Sequence, residues 1–443
     1  MQNMIAVQNK LIAIIEKHKA GSAVGIPSLC TANWPVIKSA IIHAKANNKP
    51  LLIEATSNQV NQFGGYTGYT PARFREQVFK LAGELEYPVS QIILGGDHLG
   101  PNAWQDQNSD AALGHAKKMF EDYVNAGFSK LHLDASMKCA DDGNPDEPLA
   151  SSIIAERAAM LCKVAEDTYN NNTSRKFDPP VYVIGTDVPI PGGMKTEHEQ
   201  LRITPVAEVE ETIELTKNAF YKYNLQDAWT RVIGLVVQPG VEFGDSIVIE
   251  YEHDKALDLI KKIETEDSLV YEAHSTDYQR KEMLKQLVQD HFAILKVGPW
   301  LTYAYREAIY ALAYIEKELF TEKTGVIASG ILDALDETMT QNPLYWKKYY
   351  FGSAKEIKLA MKYSYSDRAR YYWTGSKIES ALSNLLQNLT TAQIPATLLS
   401  QFMPDAYQAV RNGEIANNPA SLIHYKVCQI LEIYNYATTE VHS

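Results

Sequence analysis

The sequence predicts an α/β protein: a (β/α)8 TIM barrel over residues 1–330 followed by a helical C-terminal domain over residues 331–443. Three observations predict it. Eight short β-rich runs recur along the first 300 residues, longer stretches of helical periodicity separate them, and beyond about residue 320 the strand signals give way to aromatic-rich helical segments. Eight alternating units of this kind favour a closed barrel over an open doubly wound sheet.

The elements follow in order. "MQNMIAVQNKLIAIIEKHKA" carries apolar residues at helical spacing and lacks the charged start and small-residue cleavage site of a signal peptide, so it reads as the first helix. The eight runs are "SAVGIPSL", "KPLLIEATS", "QIILGGDH", "SKLHLDAS", "VYVIGTDVP", "RVIGLVVQPG", "SLVYEAHS" and "FAILKVGP". Most are nearly continuously apolar in their middles, as parallel strands covered on both faces are. Between them, "TPARFREQVFKLAGEL" opens with Thr70 as an N-cap before Pro71, and "DAALGHAKKMFEDYVNAG" runs to Gly127, a residue suited to a helix C-terminus. Residues 167–180, "DTYNNNTSRKFDPP", read as a surface loop leading into strand five, and turns are expected at Asn342 and Gly352.

Bulk composition narrows the function. With 45% hydrophobic and 22% charged residues and no run of about 18 apolar residues, the chain is expected to be soluble, with no membrane span. A net charge of −12 disfavours nucleic acid, because phosphate contacts need clustered Lys and Arg. Cys30, Cys139, Cys162 and Cys428 lie far apart with no CxxC pair, so neither a zinc knuckle nor a disulfide framework is expected, and the compartment reads as cytoplasmic.

In a barrel of this kind the strand C-termini converge on one rim. Read together they supply Glu54, the pair Asp97–His98, Asp134, Asp187, Gln238 with Glu242, Glu272 with His274, and Lys296. Imidazoles from separate strands ringed by carboxylates suit a divalent transition metal, so His98 and His274 are candidate ligands. Each is alternatively a strand-end histidine held by hydrogen bonds. Asp97 and Asp134 are candidate proton carriers beside a polarised sugar carbonyl. Glu54, Asp187 and Lys296, with the amides Asn58 and Gln59 in the loop "NQVNQFGGYTGYTP", are candidate substrate ligands, although Glu54 and the glycine-rich loop also suit a scaffold role. His132, between Leu131 and Leu133, reads as a packed histidine. The aromatic residues Tyr345, Trp346, Tyr349, Tyr350, Tyr371, Tyr372 and Trp373 read as core or interface, and Arg368 and Arg370 as salt-bridging residues or anion ligands.

"IEATSNQVNQFGGYTG", "ILGGDHLGPN", "GFSKLHLDAS", "VIGTDVPIPGG", "VVQPGVEFG", "VYEAHSTDYQ" and "FAILKVGPWLTYAYREAI", with "YWKKYY" and "SDRARYYW" near the end, resemble the GatZ/KbaZ family over essentially the whole chain. The resemblance implies an accessory subunit that stabilises a catalytic class II tagatose-bisphosphate aldolase subunit and is required for its full activity, in galactitol or N-acetylgalactosamine catabolism. It also implies similarity to the class II aldolases themselves, where an Asp-His pair and a later histidine match Asp97, His98 and His274, with zinc as the expected metal. Two departures stand out: "VVQPGVEFG" offers only Gln238 and Glu242 where a further histidine ligand is expected, leaving Glu242, or alternatively Asp134, to supply an oxygen as the third ligand, and "STDYQ" replaces a glycine-rich phosphate loop. The alternative is a metal-dependent epimerase that cleaves and rejoins a ketohexose, tagatose or fructose or a phosphate of either. A homo-oligomer is left open.

Overall fold

The computed structural model describes residues 9–144, 147–173, 177–186, 201–320 and 326–440. The strands are β1 (Ile26–Cys30), β2 (Leu51–Thr56), β3 (Ile92–Leu99), β4 (Lys130–Leu133), β5 (Val181–Ile184), β6 (Val232–Val237), β7 (Glu242–Phe243), β8 (Val248–Ile249), β9 (Val270–Ala273) and β10 (Ile294–Val297). Eight of them close a parallel barrel in the order β1-β10-β9-β6-β5-β4-β3-β2, each coinciding with one of the eight runs, β1 and β3 extending one residue past theirs. β7 and β8 form a small antiparallel ribbon in the connection between β6 and β9.

Strand alternation sorts the barrel interior into layers. At the bottom, Ile26, Leu52, Ile93, Val181, Val183, Val270 and Ile294 cluster with Leu11 and Ile15 of the helix Lys10–Lys19, which plugs that end. Burying two such side chains contributes about 1.5–3 kcal/mol each. Two residues further along the same inward faces stand Ser28, Glu54, Gly95, Glu272 and Lys296, and Lys130 pairs with Gly95 in register. The apolar bottom therefore gives way to a charged middle layer. Gly95 makes that layer possible, since a Cβ there would lie 2.5 Å from Glu54 Oε1. Gly95→Ala is expected to displace the Glu54 carboxylate and destabilise the fold by about 1–3 kcal/mol, read by denaturant unfolding.

Outside the barrel a single large apolar cluster joins the flanking helices to those of the C-terminal third. Helix Pro419–Thr438 packs on helices Trp34–Ala46, Lys281–Gln289 and Pro299–Leu319. It is stitched to the barrel by Tyr434, whose hydroxyl donates to Thr276 O at 2.9 Å, and by Gly25 N–H, which donates to Thr438 O at 3.1 Å. The remaining helices of this region, from Ile331–Gln341 to Pro404–Arg411, alternate with the turns expected at Asn342 and Gly352.

Thr70 caps helix Pro71–Glu84, and Gly127 (φ +82°) follows helix Ser109–Asn125. The loop expected at 167–180 starts later: residues 167–171 extend the helix Ser151–Asn171, where Tyr169 packs on Phe177. No helix among the described residues is long and apolar enough to cross a membrane.

Candidate metal centre at the barrel mouth

Successive residues of a regular strand face opposite sides, so Asp97 and His98 could not both enter the barrel mouth from an undistorted β3. The pairing of β3 with β4 slips between Gly96 and Leu99, and His98 takes φ +45°. The bulge turns both side chains inward. A non-glycine residue in the left-handed region costs on the order of 1–3 kcal/mol, and such strain collects at functional sites. This is why "GGDHLG" ends the strand: Gly100, just beyond, leaves no room for a Cβ, which would meet Asp134 O at 1.7 Å.

The bulge brings three imidazoles together. His98 and His274 have ring centroids 4.9 Å apart, His98 and His132 5.1 Å, and His132 and His274 5.4 Å. Asp97 and the three histidines each offer a ligand atom within 4.8 Å of the others, and all four residues are buried. One nitrogen of each ring is already held. His98 Nδ1 lies 2.8 Å from Asp134 Oδ2, His274 Nε2 lies 3.0 Å from Glu272 Oε1, and His132 Nε2 lies 2.9 Å from Gly185 O. Each partner is an acceptor, so those nitrogens carry the protons and the opposite nitrogens present lone pairs. His132 Nδ1 accepts from His98 N–H at 3.2 Å and lies 3.2 Å from Asp97 Oδ1. Imidazoles anchored through the second nitrogen to carboxylate or carbonyl are the donor set of a divalent transition-metal site, and the residues fit such an ion.

The electrostatics distinguish the rings. Burial pushes His274 down to about 4, which keeps it neutral for ligation. Burial also opposes charge on His98, but the carboxylates of Asp97 and Asp134 outweigh it and raise the ring to about 9, so a metal binding there would have to displace its second proton. Burial would raise Asp134, yet its hydrogen bond to His98 holds it well below the usual carboxylate range. Both Asp134 oxygens are engaged, Oδ2 with His98 and Oδ1 with Ser136 N (3.1 Å) and Oγ (2.6 Å). With both oxygens so engaged, Asp134 is placed to orient the His98 ring. Asp134→Asn is expected to weaken metal binding about 10–100-fold, read by competition with a chelator.

Beneath the imidazoles lies a buried ion network. Lys130 Nζ sits 2.6 Å from Glu54 Oε1 and 2.7 Å from Glu272 Oε2. Lys296 Nζ sits 2.9 Å from Asp97 Oδ1, 3.9 Å from Glu272 Oε1, and also bonds Glu54 Oε2. Glu54, Asp97 and Glu272 converge as a second group of potential ligands, but each is already paired with one or both of these two ammonium groups. Burial disfavours charge on Lys296, and Asp97, Glu54 and Glu272 overcome it and hold the amine well above its ordinary value.

Above the imidazoles opens a cavity of about 1120 Å³, lined by Asn58, Gln59, Asp97, His98, His274 and Lys296 among others. Of the other candidates, Glu54 is fully buried within the ion network and does not line the cavity. Asp187 lies outside the described residues. Glu242 is not among the four clustered residues. Gln238 Oε1 accepts from Gly240 and Val241 N–H, turning the chain after β6, so Glu242 enters the β7–β8 ribbon and its Oε1 accepts from Phe243 N–H at 2.9 Å. His132, read from the sequence as packed, occupies the third position. Its signal lies in Lys130, His132 and Asp134, polar at every second residue of strand four. Lys130 and the cavity-lining Tyr66, Lys348 and Asp277 were not singled out by the sequence.

The family described as D-tagatose-1,6-bisphosphate aldolase subunit GatZ/KbaZ-like matches residues 11–439. A solved structure from Sinorhizobium meliloti 1021, described as a probable tagatose 6 phosphate kinase, is 43% identical, with 93% of this chain and 100% of that one covered at a TM-score of 0.85. The YdjI aldolase of Escherichia coli K12 aligns at 12% identity over 83% of this chain and 98% of its own (TM-score 0.38). The fructose-bisphosphate aldolase (Fba) of Campylobacter jejuni aligns at 14% over 86% and 92% (TM-score 0.43), and at that distance neither informs the site. The family match spans the strands that carry the histidines and the helices that follow the barrel, and the chain belongs to the GatZ/KbaZ-like family.

Proposed function

We propose that this chain itself performs metal-dependent aldol chemistry on a ketohexose phosphate, interconverting tagatose and fructose configurations at C4. The observation that carries the reading is the trio of His98, His132 and His274, each ring fixed through one nitrogen and turned toward its neighbours with the other. A divalent ion, zinc in this reading, would polarise the ketone and stabilise the enediolate charge that C–C cleavage creates.

The chain's own residues supply the rest. Asp97, ionised beside Lys296 and exposed to the cavity, accepts the C4 hydroxyl proton as the C3–C4 bond breaks, leaving a three-carbon aldehyde and an enediolate. Rotation of the aldehyde presents its other face. C3 then attacks the carbonyl carbon, the bond re-forms, and Asp97 returns its proton to the C4 oxygen, so atoms and charge balance. Lys296 keeps Asp97 ionised between turns and limits the negative charge of the mouth. Asn58 and Gln59 offer amides to the sugar hydroxyls. The names of the family and of the Sinorhizobium meliloti relative both concern phosphorylated tagatose, which supports the substrate class.

The family's description as a subunit favours a second reading, in which the chain stabilises and activates a separate catalytic class II aldolase in the cytoplasm during galactitol or N-acetylgalactosamine catabolism. One experiment divides the two. The purified chain is analysed for metal and incubated alone with tagatose and fructose, free and phosphorylated, then added to a class II tagatose-bisphosphate aldolase. Metal-dependent interconversion by the chain alone is the expected result. A metal-free chain, inert by itself, that raises the aldolase's activity supports the helper role instead.

A further inference from the structure

One wall of the cavity is built by residues that follow the barrel. Tyr345, Lys348 and Tyr349 come from the turn after helix Ile331–Gln341, and Arg368, Arg370 and Tyr371 from a short turn that follows helix Ala354–Tyr363. The wall is fastened to the loop after β2 by aromatic contacts: Tyr66 meets Tyr371 at 4.8 Å and Tyr345 at 6.0 Å, and Tyr345 stacks on Tyr371 at 4.9 Å. Its three cations are therefore held against the mouth.

Their charge is not spent on carboxylates. Arg306, deeper in the fold, pairs with Asp367 at 3.3 Å, but among the described residues Lys348, Arg368 and Arg370 have no carboxylate within 4.0 Å. Arg370 is oriented by neutral oxygens, donating to Asp367 O at 3.1 Å, to Tyr371 Oη at 3.0 Å and to Ser366 O. Arg368 is 3% exposed, donates to Tyr345 O at 3.1 Å, and its Nε has no hydrogen-bond partner in this structure. A buried guanidinium with an unsatisfied N–H beside a cavity is suited to an anion.

The usual place for that anion is closed. The amides that open helix Pro299–Leu319 also face this region, but the Asp277 carboxylate occupies them, accepting from Gly298 N–H at 3.0 Å and Trp300 N–H at 2.8 Å. Burial pushes Asp277 up to about 6 despite those bonds. A phosphate entering the mouth meets a carboxylate at the helix N-terminus and cations on the part of the wall that follows the barrel.

We propose that Lys348, Arg368 and Arg370 bind the phosphoryl group of the sugar, making the site selective for phosphorylated over free ketohexose. The inference rests on the cavity being a ketose site, but anion binding by these residues is measurable without turnover. Calorimetric titration of the full chain with inorganic phosphate, tagatose 6-phosphate and free tagatose, for wild type, Lys348→Met and Arg370→Met, tests it. Both phosphate-bearing ligands are expected to bind wild type more tightly than free tagatose, and each substitution to weaken them by about tenfold or more. Lys348 is exposed, so Lys348→Met decides the matter if Arg370→Met fails to fold. Wild type that binds free tagatose as tightly as its phosphate, or phosphate affinity unchanged in the folded variants, overturns the assignment. Phosphate binding lost in the variants, in a protein that never turns over the bound sugar, would instead retain this site and reject the epimerase reading.

Discussion

Substituting His132 by glutamine is expected to reduce bound metal from about one ion per chain to a small fraction of that, and to abolish sugar interconversion while the barrel stays folded. His132 is fully buried on β4, with Nε2 anchored on Gly185 O and Nδ1 directed at Asp97. Loss of an outer partner such as Asp134 costs roughly 10–100-fold in affinity, and loss of a ligand removes a metal bond outright, so the His132 variant should be the more severe of the two. Elemental analysis of dialysed protein, with circular dichroism as the check on folding, reads the outcome. Glu242→Gln supplies the contrast: its carboxylate bonds the backbone of the β7–β8 ribbon, so metal content should be retained. Full metal occupancy in His132→Gln would remove His132 from the site.

Lys130→Met is expected to be the most destabilising single change in the barrel interior. Its ammonium is fully buried between Glu54 and Glu272, and removing one partner of a buried pair typically costs about 3–5 kcal/mol out of a total near 5–15. The pH dependence carries a sign. Burial would raise Glu272, but Lys130 and Lys296 hold it well below its ordinary 4.5, so its contribution is complete above that pH and is lost as the pH falls below it. Without Lys130 the buried Glu272 carboxyl loses a counter-charge and its pKa rises. The variant should therefore recover towards wild type on acidification. Urea unfolding of both proteins at pH 7 and pH 5 measures this, and a difference that does not shrink at the lower pH would contradict the charge-layer account.

Much of this was legible in the sequence, and what escaped has physical causes. The strand-to-helix rhythm fixes the barrel because a parallel strand covered on both faces must be apolar nearly throughout, as in Val232–Val237. The polar strand ends marked the rim at which the candidate site lies. The pairing of His98 with His274 followed from the same rule, since both stand at C-terminal ends. His132 was obscured by Leu131 and Leu133, which pack outward and make the run look like core, although the inward residues Lys130, His132 and Asp134 were all polar. Glu242 was harder to place, because distance along the chain does not reveal that Gln238 turns the backbone so that Glu242 enters the β7–β8 ribbon. The cationic wall was least accessible: Arg368 and Arg370 reach the mouth only because Tyr345 and Tyr371 stack and dock on Tyr66, roughly 300 residues earlier, and such non-local packing leaves no local pattern.

The account turns on one ion held jointly by three strands. Anomalous diffraction recorded on both sides of the zinc absorption edge, from crystals of the zinc-loaded chain, tests that most directly. The account predicts one strong peak at the barrel mouth, about 2.0–2.1 Å from a nitrogen of His98, His132 and His274. A map without a peak among those rings, or with the ion bound by other residues, would contradict it.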